Sequence, residues 1–208
     1  MSRHSVYTTF DIIPPPGQAS SGPFFNTVCD YIRWVEGSAT GRTLLPLLDG
    51  QLHQQNLLLR IEQVPQSPSV TGFKVWGPAN TRLRMLCAHP YAPVVAPWHT
   101  SAVPLAIYFA HELIHALHWM QHRHNADRDA EEWATIGLGR YAPNPFIENR
   151  IRCERGLPLR TSHADQADGH TAQDEIDRFH RQGYADPVCR NARYEHPLRT
   201  LPSPATRP

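Results

Sequence analysis

The stretch "HELIHALH", His111 to His118, constrains this chain most, because it places four ionisable side chains inside the apolar run "AIYFAHELIHALHWM". A helix turns about 100° per residue, so residues three, four and seven apart share a face. His111, His115 and His118 therefore line up, with Glu112 beside them. Ala110, Leu113, Ile114, Ala116 and Leu117 supply apolar neighbours, and Pro104 can sit in the first helical turn, where its missing N–H has no partner to lose. The pattern predicts a largely buried helix over about 104–121.

Two imidazoles at i and i+4 on a rigid helix can present nitrogens to one metal ion at about 2.0–2.1 Å, a spacing suited to Zn2+. Glu112, next to the first histidine, is placed to take a proton from water whose pKa the metal has lowered. A catalytic zinc takes three protein ligands, so His111 and His115 need a third. The class with another histidine six residues on is excluded, because that position holds Gln121. His118 lies a turn past His115 and is displaced along the axis, which suits a supporting role rather than ligation. The run "AEEWATIGLG" offers Glu131 and Glu132, one to complete the site and the other to orient an imidazole. The spacing of Asp129 and Glu132 also fits a capping box, in which Glu132 only satisfies a backbone N–H.

Elsewhere the pattern is mixed. Residues 1–22 lack a sustained hydrophobic period and read as disordered. In "FFNTVCDYIRWVEG", Phe24, Val28, Tyr31, Ile32 and Val35 recur at helical spacing up to Gly37, and "GRTLLPLLDG" suggests a short second helix broken by Pro46. "QNLLLRIEQV", "GFKVWG" and "TRLRMLCAHP" read as strands of a small antiparallel sheet. "DAEEWATIGLGR" predicts a helix capped by Asp129 and ending near Gly137 or Gly139, and "NPFIENRIRCERGLPLR" another, ended by Gly156 and Pro158. Beyond residue 161 one modest helix, "TAQDEIDRFHRQG", precedes a tail expected to be disordered. "SHADQADGH", with His163, Asp165, Asp168 and His170, reads as an exposed polar loop.

A chain of 208 residues suits one substantial domain, here an α+β fold. With 20 basic and 19 acidic residues in no long run of one sign, charge points to neither a nucleic-acid nor a membrane partner. Cys29, Cys87, Cys153 and Cys189 form no close pair, which suggests a reducing compartment. The amino terminus lacks the apolar core of an ordinary export signal, and no apolar run is long enough to span a bilayer.

Taken in series, "HELIHALH" (111–118), "EEWATIGLGR" (131–140) and "ENRIRCERGLPLR" (148–160) resemble the NleD-type zinc metalloprotease effectors that bacteria inject into host cells by type III secretion. "FFNTVCDYIRWVEGSATGRTLLPLL" resembles that family's amino-terminal helices. The resemblance implies a single zincin-like domain over 23–163 with the sheet packed on the motif helix, residues 1–22 as a secretion signal, and an extension over 164–208. It implies a monomeric, secreted protein acting in the host cytoplasm. Its partners would be host signalling proteins, mitogen-activated protein kinases among them, and a secretion chaperone. The "HELIHALH" and "AEEW" pair is also similar to clostridial neurotoxin light chains, which implies Glu132 as the zinc ligand and Glu131 as its support. By family position Arg160 would help stabilise an oxyanion, and His163 stands where the family places a tyrosine. Two other readings stay open: a zinc-stabilised effector that binds without cutting, and a toxin metallopeptidase acting on neighbouring bacteria.

Overall fold

The computed structural model describes residues 7–63, 73–79, 82–87, 104–157 and 159–160. In chain order these form β1 (Phe10–Ile13), α1 (Pro23–Glu36), α2 (Ala39–Gln54), β2 (Leu58–Gln63), β3 (Phe73–Ala79), β4 (Arg82–Cys87), α3 (Leu105–Met120), α4 (Arg128–Ile136) and α5 (Glu148–Glu154). A 3-10 turn at Gly139–Tyr141 follows α4. Helix and strand are thus mixed, as an α+β reading requires.

The sheet corrects the expectation of antiparallel pairing. Its order is β1-β2-β4-β3, with β1 and β4 both parallel to β2 and only β3 antiparallel to its neighbour β4. Alternation within a strand reports which face is buried and carries no information on the direction of the next strand. The amino-terminal segment also differs from the expectation of disorder. Phe10–Ile13 pairs with Leu59–Glu62, and Asp49 accepts bonds from the Thr9 N–H (3.0 Å) and hydroxyl (2.6 Å). Four residues are too few to show a period, and their stability comes from partners distant in sequence, on β2.

Helix α1 begins with Pro23 and buries Phe24, Val28, Ile32 and Val35. Helix α2 is longer than the sequence suggests. Ser38 caps it by accepting from Gly41 N, and Leu44, Leu45, Leu48 and Leu52 are fully buried on both sides of Pro46. That burial offsets the one i→i−4 bond the proline forfeits. The α1–α2 corner is tight at Gly41, where a Cβ would lie 1.9 Å from the Val35 carbonyl oxygen.

Helix α3 is buried on nearly every side, as an apolar helix should be. Ile107, Phe109, Leu113 and Ile114 join the core with Leu59, Ile61, Leu83 and Met85 of the sheet. The helix packs against α1, α2, α4, α5 and β3, so its histidines are interior groups. Its N-cap is Pro104, just outside the first turn.

Among the described residues no helix is long and apolar enough to cross a membrane. Cys29 is a free thiol, whereas Cys153 is disulfide-bonded, which the cysteine spacing did not announce. The expected helix beginning at Thr171, the polar loop from His163 to His170 and the tail lie outside the described residues.

Candidate metal centre

The site is assembled from α3, α4 and α5. On α3, His111 and His115 are each 6 % exposed and His118 7 % exposed, too little for water to solvate a charged imidazole freely. Each ring nitrogen must then find a partner within the protein. His111 Nδ1 meets Glu148 Oε2 at 2.7 Å. His115 Nδ1 meets Glu131 Oε1 at 2.9 Å and the Thr135 hydroxyl at 3.1 Å. His118 Nδ1 also meets Glu131 Oε1, at 2.7 Å. An ionised carboxylate only accepts, so these Nδ1 atoms carry the protons. In the neutral tautomer each corresponding Nε2 is left with a lone pair.

The Nε2 atoms of His111 and His115 converge to 3.0 Å. Glu132 Oε2 lies 3.0 Å from the first and 3.6 Å from the second. Three donors each about 2.0–2.1 Å from one tetrahedral ion stand roughly 3.3 Å apart, so this triangle has the size of one face of such a coordination sphere. The donor set, a carboxylate and two imidazoles whose Nδ1 atoms are already engaged, fits a divalent cation. Two overlapping groups, His111–Glu112–His115 and His115–His118–Glu131, bring ligand atoms close enough to hold a metal ion. In the second, Glu131 Oε1 meets both histidines at hydrogen-bond distances.

Helix α4 delivers its two glutamates because of its capping. Asp127, in extended conformation outside the helix, accepts from Asp129 N and Ala130 N at 2.9 and 3.0 Å. The Asp129–Glu132 capping box is therefore not the arrangement formed, and Glu132 reaches the histidines instead. Glu131 is 3 % exposed, and its Oε2 accepts from the Asn125 backbone and side chain at 2.8 and 3.0 Å. Gly137 ends the helix at φ 87°, and a Cβ there would meet Ile147.

Behind His111 lies a buried ionic cluster. Glu148, 1 % exposed, accepts from Arg152 Nε at 2.5 Å and from Arg160 Nη1 at 3.1 Å. Asn149 fixes the Arg160 main chain, accepting from its N–H at 2.7 Å and donating to its carbonyl at 2.8 Å. The structure therefore places Arg160 behind His111, with Nη1 on Glu148. Glu148, Thr135 and Asn125 are site residues that sequence reasoning missed. For Glu148 the only local signal was Arg152 four residues on, a pair that usually marks a solvated helix face.

Electrostatics follows from this burial. Burial lowers the affinity of His111 and His115 for a proton, but the carboxylates outweigh it: Glu132 and Glu148 raise His111, and Glu131 and Glu132 raise His115 to about 10. Burial acts upward on Glu131, Glu132 and Glu148, yet the histidines, and for Glu148 also Arg152 and Arg160, hold all three below the usual carboxylate range. Glu112 differs: burial pushes it up, against the lowering effect of His115, His111 and the Val75 N–H. The neighbouring carboxylates thus raise the proton affinity of both histidines, so protons compete with a cation for the donor triangle.

No family model, curated protein or solved structure matches this chain.

Proposed function

We propose that the chain is a zinc endopeptidase in which His111, His115 and Glu132 hold the metal and Glu112 is the general base. The observation that carries this reading is the triangle of 3.0, 3.0 and 3.6 Å among the three donor atoms, with Glu112 alongside both histidines. Bound there, zinc supplies Lewis acidity, lowering the pKa of a water and polarising the scissile carbonyl.

The protein groups divide the remaining work. Glu131 and Glu148 take the Nδ1–H of His115 and His111, which fixes both rings and makes their Nε2 atoms better donors. Glu112, its pKa raised by burial, is suited to take a proton from water as the C–O bond forms and return it to the amine as the C–N bond breaks. Among the described residues β3 is the terminal strand of the sheet, beside α3, and the outward main-chain groups it does not spend on Glu112 are where an extended polypeptide adds by main-chain pairing. The substrate class rests on the resemblance of the sequence motifs to NleD-type effectors alone, which points to host signalling proteins.

The test compares wild type with Glu112→Gln, both zinc-loaded, in a eukaryotic cell lysate, reading newly formed protein amino termini by mass spectrometry. New termini are expected with wild type alone, both proteins holding equal zinc. The same termini from Glu112→Gln, or none from wild type, would overturn the reading.

A further inference from the structure

Glu112 is held by the main chain of the sheet. Its Oε2 accepts the backbone N–H of Val75 at 2.6 Å, a short contact of the kind made to an ionised acceptor. Val75 lies opposite Met85 in the antiparallel β3–β4 ladder, between the pairs Lys74–Leu86 and Trp76–Arg84. In such a ladder, N–H groups of successive residues point alternately toward the partner strand and away from it. The Val75 N–H, being spent on Glu112, is one that points away from β4.

We propose that the Val75 main-chain amide is a positioning group for the base, fixing Glu112 through Oε2 and leaving Oε1 to receive the proton. This rests on the reading of Glu112 as general base, and it assigns a task to the main chain of β3. A glutamate has three rotatable bonds, and catalytic groups lose efficiency steeply when displaced by about 1 Å. The contact removes that freedom. It also favours the ionised carboxylate against burial, since a donor N–H stabilises the charged form.

Two measurements test it. The first is amide hydrogen exchange in metal-free 15N-labelled protein. Val75 is expected to be protected in wild type and in Glu112→Gln, whose side-chain carbonyl still accepts, and to exchange at least about tenfold faster in Glu112→Ala. Lys74 and Trp76, whose amides point into the ladder, should be unchanged in all three. Equal Val75 exchange in wild type and Glu112→Ala would overturn the proposal.

The second is the visible spectrum of the cobalt-substituted protein, which reports the surroundings of the metal. Val75→Pro removes the N–H without removing a ladder bond, which a terminal strand tolerates, and Val75→Ala retains it. Val75→Pro is expected to shift the spectrum as Glu112→Ala does, and Val75→Ala to match wild type. A wild-type spectrum in Val75→Pro, or an equal shift in Val75→Ala, would overturn the proposal. If wild type itself holds no cobalt, the metal-site reading falls, while the exchange of Val75 still decides whether its amide holds Glu112.

Discussion

Glu148→Gln separates what holds the domain together from what orients His111, a ligand in the proposed metal site. The substitution keeps the shape of the side chain but removes a charge that is 1 % exposed and faces Arg152, itself 0 % exposed, together with Arg160. Breaking a buried ion pair by neutralising one partner costs about 3–5 kcal/mol, because the other charge is left without compensation. The metal-free protein should lose that much in urea unfolding followed by tryptophan fluorescence. Its second effect runs through His111, whose Nδ1 sits 2.7 Å from Glu148 Oε2. A neutral amide accepts this proton less strongly, and loss of such an orienting partner lowers metal affinity about 10–100-fold, or roughly 1.4–2.7 kcal/mol of binding. Competition with a chromophoric chelator reads that term separately. Lowered stability with unchanged zinc affinity would reduce Glu148 to a counter-ion for two arginines and refute the reasoning.

Three further outcomes follow from the same structure. Asp127→Ala removes the cap on Asp129 N and Ala130 N and should cost about 1 kcal/mol in denaturant unfolding. Gly41→Ala places a Cβ 1.9 Å from the Val35 carbonyl, and since backbone cannot yield as a side chain does, a loss of about 1–3 kcal/mol is expected in the same assay. In the metal-free protein the lowered Glu131, Glu132 and Glu148 contribute stability that is present above 4.5 and lost as pH falls through their folded values. The raised His111 and His115 contribute stability that is complete below 6.5 and lost as pH rises, for His115 through about 10. Thermal melts in a chelator should therefore peak between pH 4.5 and 6.5, and added zinc should move the maximum upward because it replaces those protons. A melting temperature independent of pH from 5 to 9, roughly, would contradict the coupling between these histidines and carboxylates.

The histidine face was legible because helical periodicity is a local property, and three imidazoles on one face of an apolar helix have few other arrangements. Glu131 and Glu132 were legible as candidates, but the sequence also allowed a capping box around Asp129, and only the position of Asp127 shows that the box does not form. Glu148 was not legible, since a Glu–Arg pair four residues apart looks the same on a solvated helix as in a buried cluster. The Val75 amide could not be read at all: a main-chain donor has no sequence signature, and its use depends on the outward phase of β3. The direction of the sheet failed for a related reason, because strand order is set by connections and packing rather than by alternation. The segment Phe10–Ile13 was missed because its pairing with β2 and its ties to Asp49 are non-local.

The most direct test of the account is zinc per chain, measured by elemental analysis on wild type and Glu132→Ala purified side by side. About one zinc per wild-type chain and clearly less on the variant is the expected result, since Glu132 Oε2 completes the donor triangle with the two Nε2 atoms. Equal zinc on both proteins, or none on either, would contradict it.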